Sequence, residues 1–311
     1  MNKNLFVFIL SALPVLSIAQ QIPRFNPDTV LSITIDSPII IRSTRLTTES
    51  FIDAIVRDTS FFEAFRNMNK YSFLAENRIF TYNKKNQVSA KVYRKIFHNN
   101  SVIPHQMKYL VKQDSGKIYK RNGKYQLYTV KMFDYIFMNA NNSDFIPNTS
   151  NNKEQESYKD KLKTLIFSPG KPIKGIPFIG SKTQIFTPSM RPYYDYSFYR
   201  GTYLDSIPVY RFKISIKPTL ASRIKDGLMI KELTTIFDMR NFQILGRYMD
   251  IKYSSFLFDF NVQMNIELDY FDQNQTLLPT KISYQGNWNI PFKEEERVSF
   301  LILHKEHQLI R

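Results

Sequence analysis

Residues 258–270 read FDFNVQMNIELDY, and apolar and polar side chains alternate without a fault. Phe258, Phe260, Val262, Met264, Ile266, Leu268 and Tyr270 fall on one parity. Asp259, Asn261, Gln263, Asn265, Glu267 and Asp269 fall on the other. Successive strand side chains point to opposite faces, so this pattern predicts one long β-strand with an apolar and a wet face. At about 3.4 Å per residue it would extend roughly 44 Å. Something large and apolar must lie along one side: a core, a ligand cavity or a bilayer.

The same period recurs through the C-terminal half. Tyr210, Phe212, Ile214 and Ile216 alternate with Arg211, Lys213, Ser215 and Lys217. Further strands are predicted over 228–237, 242–253, 280–288 and 297–303, with turns at 238–241 and 272–274. In the N-terminal half the pattern predicts strands over 71–82, 88–97, 107–111, 116–120 and 125–138, the last two joined by a hairpin at Asn122-Gly123. The exception is 48–69. Phe51, Ile52, Ile55 and Val56 share one helical face, and Phe62 and Phe65 another. Ser60 and Glu63 fit a capping box, so two short helices joined at Asp58-Thr59 are predicted. A short helix is also predicted over 158–167. Residues 139–159 are almost wholly polar and predict a surface loop, and Pro172, Pro177, Pro188 and Pro192 predict an irregular crossing. Strands joined by short turns make an antiparallel meander. The fold class is therefore a β-rich α+β protein: a curved antiparallel sheet, a half-barrel, with a few helices packed on its concave face.

Composition sharpens this picture. There are 26 Phe and 19 Tyr against 9 Gly, a bias that favours strands. The chain opens MNKNLFVFILSALPVLSIA, with Lys3 before an apolar run and Ser17-Ile18-Ala19 as a cleavage signal. That predicts a signal peptide over 1–19, too short to span a bilayer. An extended segment over 20–47 and a single domain over 48–311 follow. The expected location is exported: periplasmic, outer-membrane-associated or secreted. The chain has no cysteine, so disulfides, thiolate metal sites, a Cys nucleophile and an acylated cysteine are excluded. The net charge of +16 comes from lysines scattered along strand-like stretches, such as Lys213, Lys217, Lys252 and Lys281. Scatter and export argue against a nucleic-acid partner and leave a solvated basic surface or attraction to anionic headgroups.

Candidate chemistry is sparse. Neither GxSxG nor a glycine-rich phosphate loop is present. The four histidines include His98 and His105 around an expected loop and His304 and His307 in an expected polar tail. HKEH lacks metalloprotease spacing. The carboxylates of 259–269 are expected to be solvated on the wet face. No catalytic residue, metal or cofactor is therefore expected, and the protein is expected not to be an enzyme. The aromatic run at 193–199 suits either a stacking surface or core filling, and Trp288 suits packing at a sheet end.

Three C-terminal stretches carry a resemblance. They are 209–218 (VYRFKISIKP), 230–238 (IKELTTIFD) and 242–247 (FQILGR). In this order they resemble the periplasmic lipoprotein-carrier superfamily of LolA-like, LolB-like and RseB-like proteins. There a strand ends in proline, a strand closes on a turn acid and a strand ends in a base. Residues 193–197 (YYDYS) and 282–288 (ISYQGNW) also resemble a family of uncharacterised exported proteins of Bacteroidetes. The carrier resemblance implies an incomplete barrel whose apolar faces line a cavity for an acyl chain, lipid or lipoprotein. The lining candidates are Tyr210, Phe212, Ile214, Phe260, Val262, Met264 and Ile266, which would otherwise form a filled core. Two other classes stay open. One is an envelope module binding a protein partner or a glycan. The other is an outer-membrane barrel, which the helices, the proline-rich crossing and the scattered lysines disfavour. No transmembrane segment is expected after signal removal.

Overall fold

A computed structural model describes residues 33–34, 46–102, 105–133, 136–137, 158–173, 182–254, 259–271, 275–289 and 294–310. The predicted signal peptide, nearly all of the extended segment and of the polar loop, and Phe258 lie outside the described residues.

The chain runs β1 (Ile33–Thr34), α1 (Thr48–Arg57), α2 (Ser60–Asn67), β2 (Tyr71–Tyr82), β3 (Val88–Asn99), β4 (Gln106–Ser115), α3 (Tyr128–Phe133) and α4 (Tyr158–Phe167). It continues with β5 (Tyr194–Tyr203), β6 (Ile207–Ile216), α5 (Ser222–Gly227), β7 (Ile230–Asp238), β8 (Ile244–Ser254), β9 (Asp259–Tyr270), β10 (Leu277–Asn289) and β11 (Glu296–Leu309). All strands join one antiparallel sheet in the order β1-β5-β6-β7-β8-β9-β10-β11-β2-β3-β4. Among the described residues the sheet is open, with β1 and β4 at its ends. β2 pairs with β11 and so ties the N-terminal meander to the C-terminal one. β4 is exposed along both faces, Val111 alone being half-buried.

The two predicted helices form, and they meet where predicted, but for a different reason. Thr47 caps α1 by accepting from Ser50 N at 3.3 Å. Asp58 starts α2, accepting from Ser60 N at 3.1 Å, Ser60 Oγ at 2.6 Å and Phe61 N at 3.1 Å. Glu63 turns away to Arg66 at 2.7 Å, so the expected Ser60–Glu63 box does not form. One carboxylate satisfies the first free N–H groups of the helix instead.

Two expected strands and two expected histidine placements are corrected. The stretch 125–138 contains helix α3, not a strand. Glu296 on β11 accepts from Tyr128 N and Thr129 N, both at 2.7 Å, and from Thr129 Oγ1 at 2.8 Å. A distant carboxylate placed on the positive end of a short helix overrides the strand propensity of these residues. The expected strand 116–120 shrinks to a single bridge between Tyr119 and Tyr125 around the Asn122-Gly123 turn. At the other end of the chain, β11 runs on through His304 and His307, which are strand residues and not a frayed tail. His98 likewise lies in β3 and is buried, not in a loop.

The wet face of β9 is also corrected. Asn265 and Glu267 are buried. Asn265 Nδ2 donates to Glu267 Oε1 at 2.8 Å, and Lys281 on β10 lies 3.5 Å from the same oxygen. Tyr203, at the end of β5, reaches this face. Its hydroxyl donates to Leu268 O at 2.8 Å, and its pKa is raised by burial and by the Glu267 and Asp269 carboxylates. Burial pushes the Glu267 carboxyl above the usual range, against the pull of Lys281 and Asn265.

Gly116 sits at φ +81°, and a Cβ there would stand 2.4 Å from Ser89 O. Left-handed backbone and a backbone clash act together, so Gly116→Ala should cost about 2 kcal/mol. Urea denaturation checks this: an unchanged midpoint would mean the β4 exit turn tolerates a side chain.

Candidate functional site

The apolar parity of each strand stays in register across the sheet. One unbroken row runs Tyr196, Ile214, Leu233, Met249, Met264, Tyr284, Phe300, Ile79 and Val92, one residue from each strand from β5 to β3. Direct cross-strand neighbours of this kind are the packing unit of a sheet. The next row runs Phe198, Phe212, Thr235, Arg247, Ile266, Ile282, Ile302, Asn77 and Arg94. It is apolar at its first two positions and in the middle, and polar at Thr235, Arg247, Asn77 and Arg94.

All seven lining candidates share this face and all are buried, Tyr210 being the most exposed at 8%. They fall in two groups separated by β7 and β8. Over Tyr210 and Phe212 stands Phe51 of α1. Its ring is 5.0 Å from Phe212 and stacked at 10°, 4.9 Å from Phe198, 5.2 Å from Phe242, 5.5 Å from Phe237 and 5.7 Å from Tyr210. Near the second group, Phe260 stacks on Trp288 at 4.8 Å, and Trp288 Nε1 donates to the Tyr284 hydroxyl at 2.7 Å. Phe167 of α4 gathers Phe61, Phe62 and Phe65 of α2 at 6.2, 4.9 and 5.1 Å. The helices are thus held to one another and to the sheet by rings.

Arg247 is a buried charge that the sequence reading missed. It is 1% exposed. Its Nη1 donates to Ile166 O at 2.9 Å and to Phe167 O at 3.4 Å, the last carbonyls of α4. Its guanidinium lies 4.4 Å from the centre of the Phe61 ring. Burial lowers its pKa to about 10, against a raising influence of Asp58, so it remains a cation at neutral pH. The signal was in the alternation: Arg247 shares the parity of Met249, Ile251 and Tyr253, and is a charge on an otherwise apolar face.

The opposite face carries a polar groove of about 410 Å³ lined by residues including Lys225, Asp226, Lys231, Asp250, Lys252 and Gln263. Lys231 Nζ is held by Lys225 O at 2.5 Å and Leu228 O at 2.6 Å, and Gln263 donates to Asp250 at 3.2 Å. Burial lowers the Lys231 pKa and raises that of Asp250.

At one end of β2, three imidazoles surround Phe73. His98 stacks on it at 4.4 Å, His304 meets it edge-on at 5.4 Å and His307 lies at 5.9 Å. His304 Nδ1 is bonded to Pro279 O at 2.9 Å. Among the described residues no group of three His, Asp or Glu is arranged to hold a metal. Burial lowers all three pKa values, to about 4 for His98 and His307 and about 3 for His304.

No family model and no curated protein matches the sequence. The two resemblances above therefore rest on the quoted residues. Among solved structures, the chain is similar to a DUF1329 family protein from Desulfovibrio piger, at 8% identity and a TM-score of 0.26, over 84% of this chain and 92% of that one. Similarity at that level carries no argument about activity.

Two predictions follow from this packing. Phe51→Ala removes the ring shared by five neighbours and should destabilise the protein by about 3–5 kcal/mol in urea; a loss below 1 kcal/mol (roughly one methylene's worth) would show that the cluster holds together without α1. The histidine cluster sets an acid limit. Imidazoles whose folded pKa is depressed contribute stability that is complete above the unfolded value of 6.5 and is lost as pH falls towards about 3–4. Each adds a slope of up to about 1.4 kcal/mol per pH unit. His98→Phe keeps the stack on Phe73 and removes one titrating ring. Its urea midpoint should therefore fall less steeply than that of the parent between pH 6.5 and 4. Parallel curves would remove His98 from the acid response.

Proposed function

We propose that this is an exported, non-enzymatic binding protein that holds an apolar ligand, an acyl chain or lipid, between sheet and helices. In this reading the sheet curves around its aromatic face, and α1, α2 and α4 lie in the concavity. The observation that carries the proposal is the contrast between the two layers. The sheet presents an apolar row nine strands wide, roughly 38 Å at about 4.8 Å per strand. Its cover is assembled from short separate helices of 10, 8 and 10 residues, none of which belongs to the ladder. Such a cover can be displaced without breaking a strand pairing. Phe51, Phe61, Phe62 and Phe167 then act as stand-ins that withdraw when a chain of CH₂ groups takes their place. Binding of this kind is non-directional and gains about 25 cal/mol per Å² buried, less the cost of moving the helices.

Among the described residues no helix is long and apolar enough to cross a membrane. Among the described residues the sheet ends at β1 and β4 and is not closed into a barrel. The second reading, an envelope interaction module, is favoured by β4, where Met107, Tyr109 and Leu110 are each about half exposed, at 59%, 49% and 50%.

Mass spectrometry of organic extracts from the natively purified protein tests the proposal. Co-purifying lipid in near-stoichiometric amount is expected, together with uptake of a fluorescent acyl probe after delipidation. A protein that carries no lipid and takes up no probe overturns it.

A further inference from the structure

Arg247 has one filled end and one open edge. Nη1 is taken by the α4 carbonyls, and one face of the guanidinium is covered by Phe61. Nε and Nη2 have no hydrogen-bond partner among the described residues, although both are buried. These two nitrogens form the side of a guanidinium that takes a carboxylate through two parallel bonds. Thr235 lies directly opposite Arg247 on β7, on the same face. It is fully buried, and its hydroxyl also lacks a partner among the described residues. Three orphaned polar atoms thus belong to two directly opposed positions of one row, with Phe212 and Ile266 flanking them in that row.

Charge points the same way. Asp238, Glu267 and Glu76, the buried carboxylates, have cations of their own: Arg240, Lys281, and Arg78 with Lys305. Asp58, which acts on Arg247 through space, has both oxygens engaged at the start of α2. Burying a guanidinium with two of its nitrogens unbonded costs stability, and an anion that arrives with the ligand would offset that cost.

We propose that Arg247 and Thr235 receive the carboxylate of a long-chain fatty acid, whose tail lies along the apolar row. This rests on the apolar-ligand reading and adds to it a head group and an orientation. The carboxylate accepts from Nε and Nη2 of Arg247 and from the Thr235 hydroxyl, close to the C-terminal end of α4. Head recognition and the hold on α4 then share one guanidinium.

The test uses the delipidated full chain and calorimetric titration with tetradecanoate and tetradecan-1-ol, which share a tail. The expected result is at least tenfold tighter binding of the acid. In Arg247→Met the acid should fall to the affinity of the alcohol, with alcohol binding retained. In Thr235→Val the preference should shrink several-fold. A [1-¹³C] label adds a readout independent of affinity: the bound carboxyl should stay ionised to lower pH in the parent than in Arg247→Met. Acid and alcohol binding equally to the parent overturns the head-group assignment and leaves the apolar-ligand reading standing. Binding of neither overturns both. Displacement of the acid by millimolar acetate would make this a site for small anions and overturn the fatty-acid assignment. Should Arg247→Met fail to fold, Thr235→Val and the label decide.

Discussion

Side chains along a strand alternate with a period of two, so a slip of one residue at any of the eight pairings from β5 to β3 would send part of the apolar face to the other side. This register constraint underlies everything else in the molecule. Phe51 finds Phe212, Phe237 and Phe198 within one ring's reach only because β5, β6 and β7 keep the same parity. Irregularities do occur, at Pro279/Lys281, Lys305/Gln308, Thr81/Tyr82, Ile230/Glu232 and Ile236/Phe237. They fall outside the two central rows, where an extra residue changes the twist without inverting the face.

The two rows are built to different standards. The row through Met264 is apolar from end to end and behaves as core. The row through Ile266 admits a threonine and an arginine in its middle and an asparagine and an arginine at its end. Polar groups at that depth cost stability unless each is satisfied. Arg247 is satisfied at one end only, by carbonyls of a helix that is not part of the ladder. The same side chain therefore carries a local deficit in stability and the mechanical link between sheet and cover, the combination expected where function has been given precedence over packing.

Much of this architecture was legible in the sequence because it is periodic. The alternation of 209–217 and 259–270 placed β6 and β9, and Asp58-Thr59 marked the break between α1 and α2. What could not be read came from contacts between residues far apart. Helix α3 exists because Glu296, some 167 residues away, meets its first N–H groups. Asn265 and Glu267 look solvated in a list of alternating residues and are buried, bonded to each other and with Lys281 close to the Glu267 carboxylate. The histidines at 304 and 307 look like a polar tail and become strand because β2 pairs with His304 and, past a register shift, with Gln308 and Leu309. Arg247 is the intermediate case. Its parity was visible, but its two unbonded nitrogens emerge only in the folded chain.

β4 lies at the end of the ladder with both faces in water. Beyond its backbone pairing to β3 it is tied by polar links such as Arg94 to Asp114 at 3.4 Å. With almost no apolar burial to lose, it can detach while the nine central strands stay closed. Backbone amides of β4 therefore exchange with deuterium through local opening, ahead of those in the rows beneath the helices. The detached strand bears Lys108 and Lys112, whose charges discourage it from adding to the sheet edge of a second molecule.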